Sequence, residues 1–263
     1  MKNTVRNLIV TVLCLFFVFS LSAGAEIYTP SGTDMSVTIN DEIWYVFTRD
    51  NILNNPEMDE LGLEYDYMYD TFHNNKAYVD AVLFFEDNSY IEMLVRKNSD
   101  PSNTKVANLS NYTDKEVLSL VDAVEKNLGG VTAESSVYKT PSYKFGRLDY
   151  VDPNFGYYIC EFYTIINREF YTITFQATSE YTDEEYLEIE SIVDSVVFDV
   201  DESLKEVKSG VFDKAMGSAL KGAIVGGIGG LIGALIVRKK KKAKASQVSK
   251  ISDVGSENSD FYN

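Results

Sequence analysis

The chain has 263 residues and a formal net charge of −16, with 40 Asp and Glu against 24 Lys and Arg. That balance excludes binding of nucleic acid or anionic lipid by bulk charge. One histidine and two cysteines exclude a histidine-based catalytic triad, a multi-histidine metal site and a cysteine-rich zinc site.

Residues 1–25 read as a secretory signal peptide. Lys2 and Arg6 form a basic start, Leu8–Leu21 is an apolar run, and Ala23-Gly24-Ala25 has the small-x-small pattern of a cleavage site. The mature chain is predicted to begin at Glu26. Cys14 lies inside the apolar run after Leu13, which is too large for the position before a lipidated cysteine, so no lipidation is expected. Cys160 is then the sole cysteine of the mature chain, and no intramolecular disulfide forms. An exported domain without disulfides fits a bacterial surface protein. The sequons at Asn108 and Asn111 carry little meaning in that setting.

Residues 26–210 form one predicted extracytoplasmic domain. Met35–Ile39 and Glu42–Thr48 read as two short strands joined at Asn40-Asp41, with Trp44, the sole tryptophan, in the core. Asn51–Gly62 reads as a loop. Leu63–Asn74 is a short amphipathic helix, with Tyr65, Met68 and Phe72 at helical spacing. Ala77–Phe85 and Tyr90–Arg96 form a hairpin. Thr113 and Glu116 have the spacing of a capping box. They open a helix whose stripe is Val117, Leu120, Val121, Val124 and Leu128, and Gly129-Gly130 stop it.

Four strand-like runs follow: Glu134–Thr140, Lys144–Tyr150, Tyr157–Ile166 and Glu169–Thr178, with turns at Asp152–Gly156 and Asn167-Arg168. In the last run Tyr171, Ile173, Phe175 and Ala177 alternate with Thr172, Thr174 and Gln176, which predicts one buried and one wetter face. Cys160 shares a face with Tyr158 and Phe162 and reads as an inert core thiol; Glu161 points the other way. Thr182 and Glu185 repeat the capping-box spacing ahead of a final helix striped by Tyr186, Ile189, Ile192, Val193 and Val196. Val197–Val200 adds a short strand.

Ala215–Val237 is 23 residues long. As a helix it measures about 34 Å, enough for a hydrocarbon core of about 30 Å. Arg238, Lys239, Lys240, Lys241 and Lys242 follow at once, which predicts a single-pass cell-membrane protein with residues 238–263 cytoplasmic, basic and disordered and the N-terminal domain outside. Ser218, Gly222, Gly226, Gly230 and Ala234 recur every four residues and make a row of small side chains, which predicts homo-oligomers through the anchor. The leader carries two positive charges and the tail a net four, so residues 26–237 carry −22.

The order of elements resembles the PsbP-like superfamily over about residues 30–200. The resemblance is carried by the opening SVTINDEIWYVFTRD with Trp44, the central capped helix and meander, and the closing TDEEYLEIESIVDSVVF with Ile192–Phe198. It implies an α+β fold, an α/β/α sandwich with a mostly antiparallel sheet, and a role in docking rather than chemistry. The family shares a fold and not one function, so no catalytic residue is carried over.

No P-loop, dinucleotide fingerprint or EF-hand spacing is present, and no metal or cofactor is implied. His73, the single histidine, reads as a solvated surface residue. The densest local pattern is Tyr65, Asp66, Tyr67, Tyr69 and Asp70. Tyrosine offers an apolar face and a polar tip, so this cluster is the candidate ligand-binding surface for a cationic peptide or envelope sugar. The leading functional expectation is a membrane-anchored, non-enzymatic extracytoplasmic docking module for a protein or envelope ligand. The alternatives are a membrane assembly protein oligomerising through its glycine-rich helix, and a carboxylate-dependent hydrolase.

Overall fold

In the computed structural model, residues 24–98, 106–128 and 131–204 are described. Their order is β1 (Ala25–Tyr28), β2 (Met35–Asn40), β3 (Tyr45–Thr48), α1 (Pro56–Leu61), α2 (Tyr65–Asn74), β4 (Ala77–Phe84), β5 (Tyr90–Asn98), α3 (Asp114–Asn127), β6 (Ala133–Lys139), β7 (Lys144–Val151), β8 (Tyr158–Ile166), β9 (Glu169–Ala177), α4 (Asp183–Asp194) and β10 (Val197–Phe198). The domain is mixed α and β with antiparallel sheets. Seven strands form one sheet in the order β3-β4-β5-β9-β8-β7-β6, and β1-β2-β10 form a small second sheet.

Every neighbour pair in the large sheet is antiparallel. The longest ladders join β9 to β8 and β5, with Phe175 opposite both Cys160 and Met93 and Thr174 opposite both Glu161 and Leu94. On one face, here the back, Ile173, Phe175, Phe162, Met93 and Val95 are at most 1 % exposed. Against them pack Met35, Val37 and Ile39 of β2, Ile189, Ile192 and Val193 of α4, and Trp44. Cys160 is fully buried in this cluster, and burial pushes its thiol well above the usual range.

The other face is covered in two pieces. Under α3, Val117, Leu120, Val121 and Val124 are fully buried against Leu148, Ile159 and Tyr163. Each contributes about 1.5–3 kcal/mol of burial. Under α1 and α2, Met58, Leu61, Met68 and Phe72 pack on Phe47, Val82 and Tyr90. The helix starts follow from their caps. Thr113 and Thr182 each accept a hydrogen bond from the N3 backbone N–H while the Glu116 and Glu185 carboxylates accept one from the cap N–H, so both capping boxes form.

Four readings of the sequence are corrected. Met35–Asn40 and Tyr45–Thr48 do not form a hairpin: the first belongs to the small sheet and the second to the edge of the large one. Residues 41–44 turn between them, and the Trp44 N–H donates to the Asn40 carbonyl at 3.0 Å. The predicted loop 51–62 contains α1, started by Asn55, whose side chain accepts from the Glu57 N–H, with Pro56 at the first turn. It ends at Gly62, whose φ of +65° is the left-handed cap glycine adopts freely. The face of β9 expected to be wetter is buried too, with Thr172, Thr174 and Gln176 at most 9 % exposed, because helices cover both faces. The strand β1 was not anticipated. It is short, mostly exposed and lacks an alternating apolar pattern.

Among the described residues no helix is long and apolar enough to cross a membrane. The expected span 215–237, its small-residue row, the basic run 238–242, the apolar leader and the Gly129-Gly130 stop all lie outside the described residues.

A tight packing constraint lies where α3 crosses β7. A Cβ placed on Gly146 would overlap Val121 Cγ2. We expect Gly146→Ala to lower stability by about 1–3 kcal/mol through overpacking, and Gly146→Ala combined with Val121→Ala to recover part of the loss. Denaturant titration of the three proteins checks this.

Candidate functional site

Three places gather chemistry-bearing side chains. The first is α2. Its inner stripe, Met68, Thr71 and Phe72, is buried. One turn apart on the other side stand Tyr65 and Tyr69, 41 % and 43 % exposed, with ring centroids 5.8 Å apart. The next step of the same row is His73, stacked on Tyr69 at 3.9 Å. Its Nδ1 lies 2.9 Å from the Tyr69 carbonyl oxygen, so Nδ1–H donates and Nε2 is left for solvent or a ligand. Asp66 and Asp70 are exposed beside this ladder, and Asp66 in the first turn suits the helix dipole.

Of the five residues expected to form a binding surface, Tyr65, Asp66, Tyr69 and Asp70 are thus together on the exposed side. Tyr67 is half-buried and packs against the cluster under α2. Burial raises its hydroxyl above the usual range, and the nearby Glu92 and Asp80 add to the rise. His73 was not among the expected residues. The i, i+4, i+8 spacing of two tyrosines and a histidine on one helix is the signal that would have included it.

The second place is a polar belt on the front of the large sheet, between the two helical coverings. Glu161, at 1 % exposure, is its centre. One carboxylate oxygen accepts from Thr174 Oγ1 at 2.9 Å and faces Arg96 Nη2 at 3.5 Å. The other accepts from the hydroxyls of Tyr163 and Tyr150. Arg96 Nη2 also donates to Thr174 at 3.1 Å. Toward β4, Gln176 Nε2 donates to Glu92 Oε2 at 2.8 Å, and Asp80 lies beyond it. The belt is sealed: Asp80 and Glu92 are both 2 % exposed. Burial pushes the Tyr150 and Tyr163 hydroxyls well up, and the Glu161 charge adds to this. The belt organises the sheet and meets no solute in this conformation. Glu92 and Glu161 were visible in the sequence as carboxylates inside otherwise apolar strand runs.

The third place is an open cleft of about 430 Å³ lined by Asp34, Lys97, Asn167, Glu169, Asp199, Asp201 and Leu204. Asn167 is its clasp. Its Nδ2 donates to Asp34 Oδ2 at 2.9 Å and to the Asp199 carbonyl at 2.7 Å, and its Oδ1 accepts from the Asp201 N–H at 2.8 Å. Lys97 pairs with Glu169 at 2.5 Å. These groups tie the last described residues to the β8–β9 turn. Among the described residues no group of three or more His, Cys, Asp or Glu is placed to hold a metal ion.

Removing Glu161 would leave the Arg96 guanidinium, whose side chain is 12 % exposed, without its counter-charge. We expect Glu161→Ala to cost about 3–5 kcal/mol. Glu161→Gln, which keeps the shape and one acceptor, is expected to cost less. Denaturant midpoints of both variants test the ordering, and equal losses would contradict it. The chain matches no family model, and no curated protein matches it.

Proposed function

We propose that this chain is a membrane-anchored, non-enzymatic docking module of the extracytoplasmic space, a PsbP-like α/β/α sandwich held by the span 215–237 and its basic flank. The observation that carries the reading is the outer face of α2. Tyr69 stacks on His73 and Tyr65 tilts against Tyr69 in the open, with Asp66 and Asp70 beside them. A Lys- or Arg-bearing protein segment fits this face. The rings offer cation–π contact worth about 0.5–1 kcal/mol each at exposed sites. The carboxylates supply counter-charge, and the −22 carried by residues 26–237 steers a cation toward the domain. Tyrosines held on a helix present large contact area at low entropic cost.

The carboxylate-hydrolase reading has less behind it. The acids of the polar belt, Asp80, Glu92 and Glu161, are at most 2 % exposed. Around the open cleft, Asp34, Glu169 and Asp201 are engaged by Asn167, Lys97 and Ser203 respectively. The small-residue row Ser218–Ala234 adds self-association of the anchor to the docking reading, which would present several α2 faces at once.

The test is binding of a Lys/Arg-rich peptide to the full chain in detergent micelles. We expect Tyr65→Ala with Tyr69→Ala to weaken binding roughly tenfold, equivalent to about 1.4 kcal/mol. Asp66→Asn with Asp70→Asn is expected to slow association and flatten its salt dependence. Binding that is unaffected by all four changes would overturn the reading.

A further inference from the structure

The large sheet ends on β3 at one side and on β6 at the other. A strand at the end of a sheet leaves every second residue's N–H and C=O without a ladder partner. The two ends meet this differently. At β3 the residues that follow fill the gap. The Val46 carbonyl accepts from Asn51 Nδ2 and from Asn55 Nδ2, each at 3.0 Å, and the Thr48 N–H donates to Asn51 Oδ1 at 2.7 Å. The Thr48 carbonyl accepts from the N–H groups of Asn51 and Ile52. These bonds close β3 to a further strand.

At β6 the turn to β7 fixes which groups point outward. The Thr140 N–H donates to the Tyr143 carbonyl, so Thr140 faces β7. By alternation Tyr138, Ser136 and Glu134 also bond to β7, while Ala133, Ser135, Val137 and Lys139 aim their N–H and C=O groups away from the sheet. Among the described residues none bonds to these outward backbone groups. The register from Ala133 to Lys139 is unbroken, with no bulge and no proline to blunt it. The small sheet is edged by strands of four and two residues, against seven for β6, so β6 offers the longest open edge among the described residues.

The two faces beside this edge differ. On the front, Ala133 and Val137 are half-buried against the cluster under α3. Tyr138 packs on Phe162 of the back cluster, so Glu134 and Ser136 face the back as well, and both are exposed. Glu134 stands directly opposite Asp149 of β7, a like-charge pair that opposes folding. Arg147 serves Asp149 at 2.7 Å, and no described cation pairs with Glu134. The Tyr138 hydroxyl donates to Asp194 at 3.0 Å, which brings a second exposed acid to that face.

We propose that β6 is a docking edge for an extended segment of a partner protein in which Lys or Arg alternates with apolar residues. The segment adds one antiparallel strand to the sheet. Its apolar residues lie on the front, exchange main-chain bonds with Ala133, Ser135, Val137 and Lys139, and extend the cluster under α3. Its cations lie on the back, where one of them gives Glu134 its counter-charge. The main-chain bonds supply affinity and the alternation supplies specificity. A second copy of this chain fits the edge less well, because it brings another −22 over residues 26–237 against the first. The edge stands apart from the docking reading of α2, which covers the β3–β4 side of the sheet.

The probe is a seven-residue peptide that alternates valine and lysine and has valine at both ends. It is titrated against the full chain in uncharged micelles, and against Tyr65→Ala with Tyr69→Ala, which removes the α2 rings. N-methylation of the valine nitrogens takes away the donors that face β6 and is expected to weaken binding about tenfold or more, while N-methylation of the lysine nitrogens, which face away, should weaken it less than about threefold. Val137→Pro deletes an outward N–H at a site where proline spares the bonds to β7, and should weaken binding about tenfold. Glu134→Lys should weaken it as much without lowering the denaturant midpoint, since it turns the repulsion with Asp149 into attraction. No binding, or equal binding of the two methylated peptides, overturns the edge whether or not the variants fold. Binding that disappears with the α2 rings and ignores valine methylation overturns it too and leaves the α2 reading standing. Methylation-sensitive binding that survives loss of those rings supports the edge whatever becomes of α2. A dimer of the full chain that Val137→Pro dissociates overturns the choice of partner.

Discussion

A carboxylate at the middle of a seven-stranded sheet sets the terms for the rest of this domain. Glu161 lies on β8 opposite Thr174 of β9, with Arg96 of β5 reaching the same place from the next strand. An ion pair so deep is tolerated only with its hydrogen bonds filled, and Thr174, Tyr150 and Tyr163 fill them. The consequence is geometric. An apolar helix cannot run across the polar belt, so the front of the sheet is covered in two separate pieces: α3 on the β7–β8 side, and α1 with α2 on the β3–β4 side. The back, which has no such belt, carries one continuous cluster with β2 and α4.

The split makes the two front coverings unequal. The helix α3 has 14 residues, a complete capping box and four fully buried aliphatic side chains. The covering on the other side is a six-residue and a ten-residue helix, and Glu64, the N-cap residue of α2, makes no side-chain capping bond. Its inner surface rests on apolar residues and on the edge of the acidic belt, while its outer surface holds the stacked rings. The least firmly built covering of the domain is therefore the one that shows its chemistry to solvent, as expected where binding elements come from the less stable end of a structure.

Much of this was legible before any coordinates. Apolar and aromatic runs bounded by turn residues marked the four strands of the C-terminal meander and the hairpin of β4 and β5, and two Thr-x-x-Glu spacings marked α3 and α4. The failures share a cause. Asn40-Asp41 has the composition of a hairpin turn, but whether flanking strands pair is decided by which sheet receives them, a long-range matter. α1 has only six residues and falls below any periodic signal. The tyrosine and aspartate cluster on α2 was visible as composition, yet its division into an outer row and an inward Tyr67 depends on the helix's rotation against β4. The belt was harder still. Asp80, Glu92, Arg96 and Glu161 are ordinary charged residues in three strands, and only register brings them together.

The clasp at Asn167 has a mechanical side. The last strand, β10, is two residues long and pairs with the start of β2, while β1 pairs with its end. Tyr143 anchors β10 from below: its hydroxyl donates to the Phe198 carbonyl at 3.1 Å and accepts from the Phe198 N–H at 3.0 Å. Tension applied through residue 205 and beyond reaches Asp201 and Asp199 first, then this short strand, before any ladder of the large sheet feels it. The small sheet thus acts as a mechanical fuse. Pulled from that end, its few bonds would break before those of the seven-stranded sheet, and the face of α2 would keep its shape.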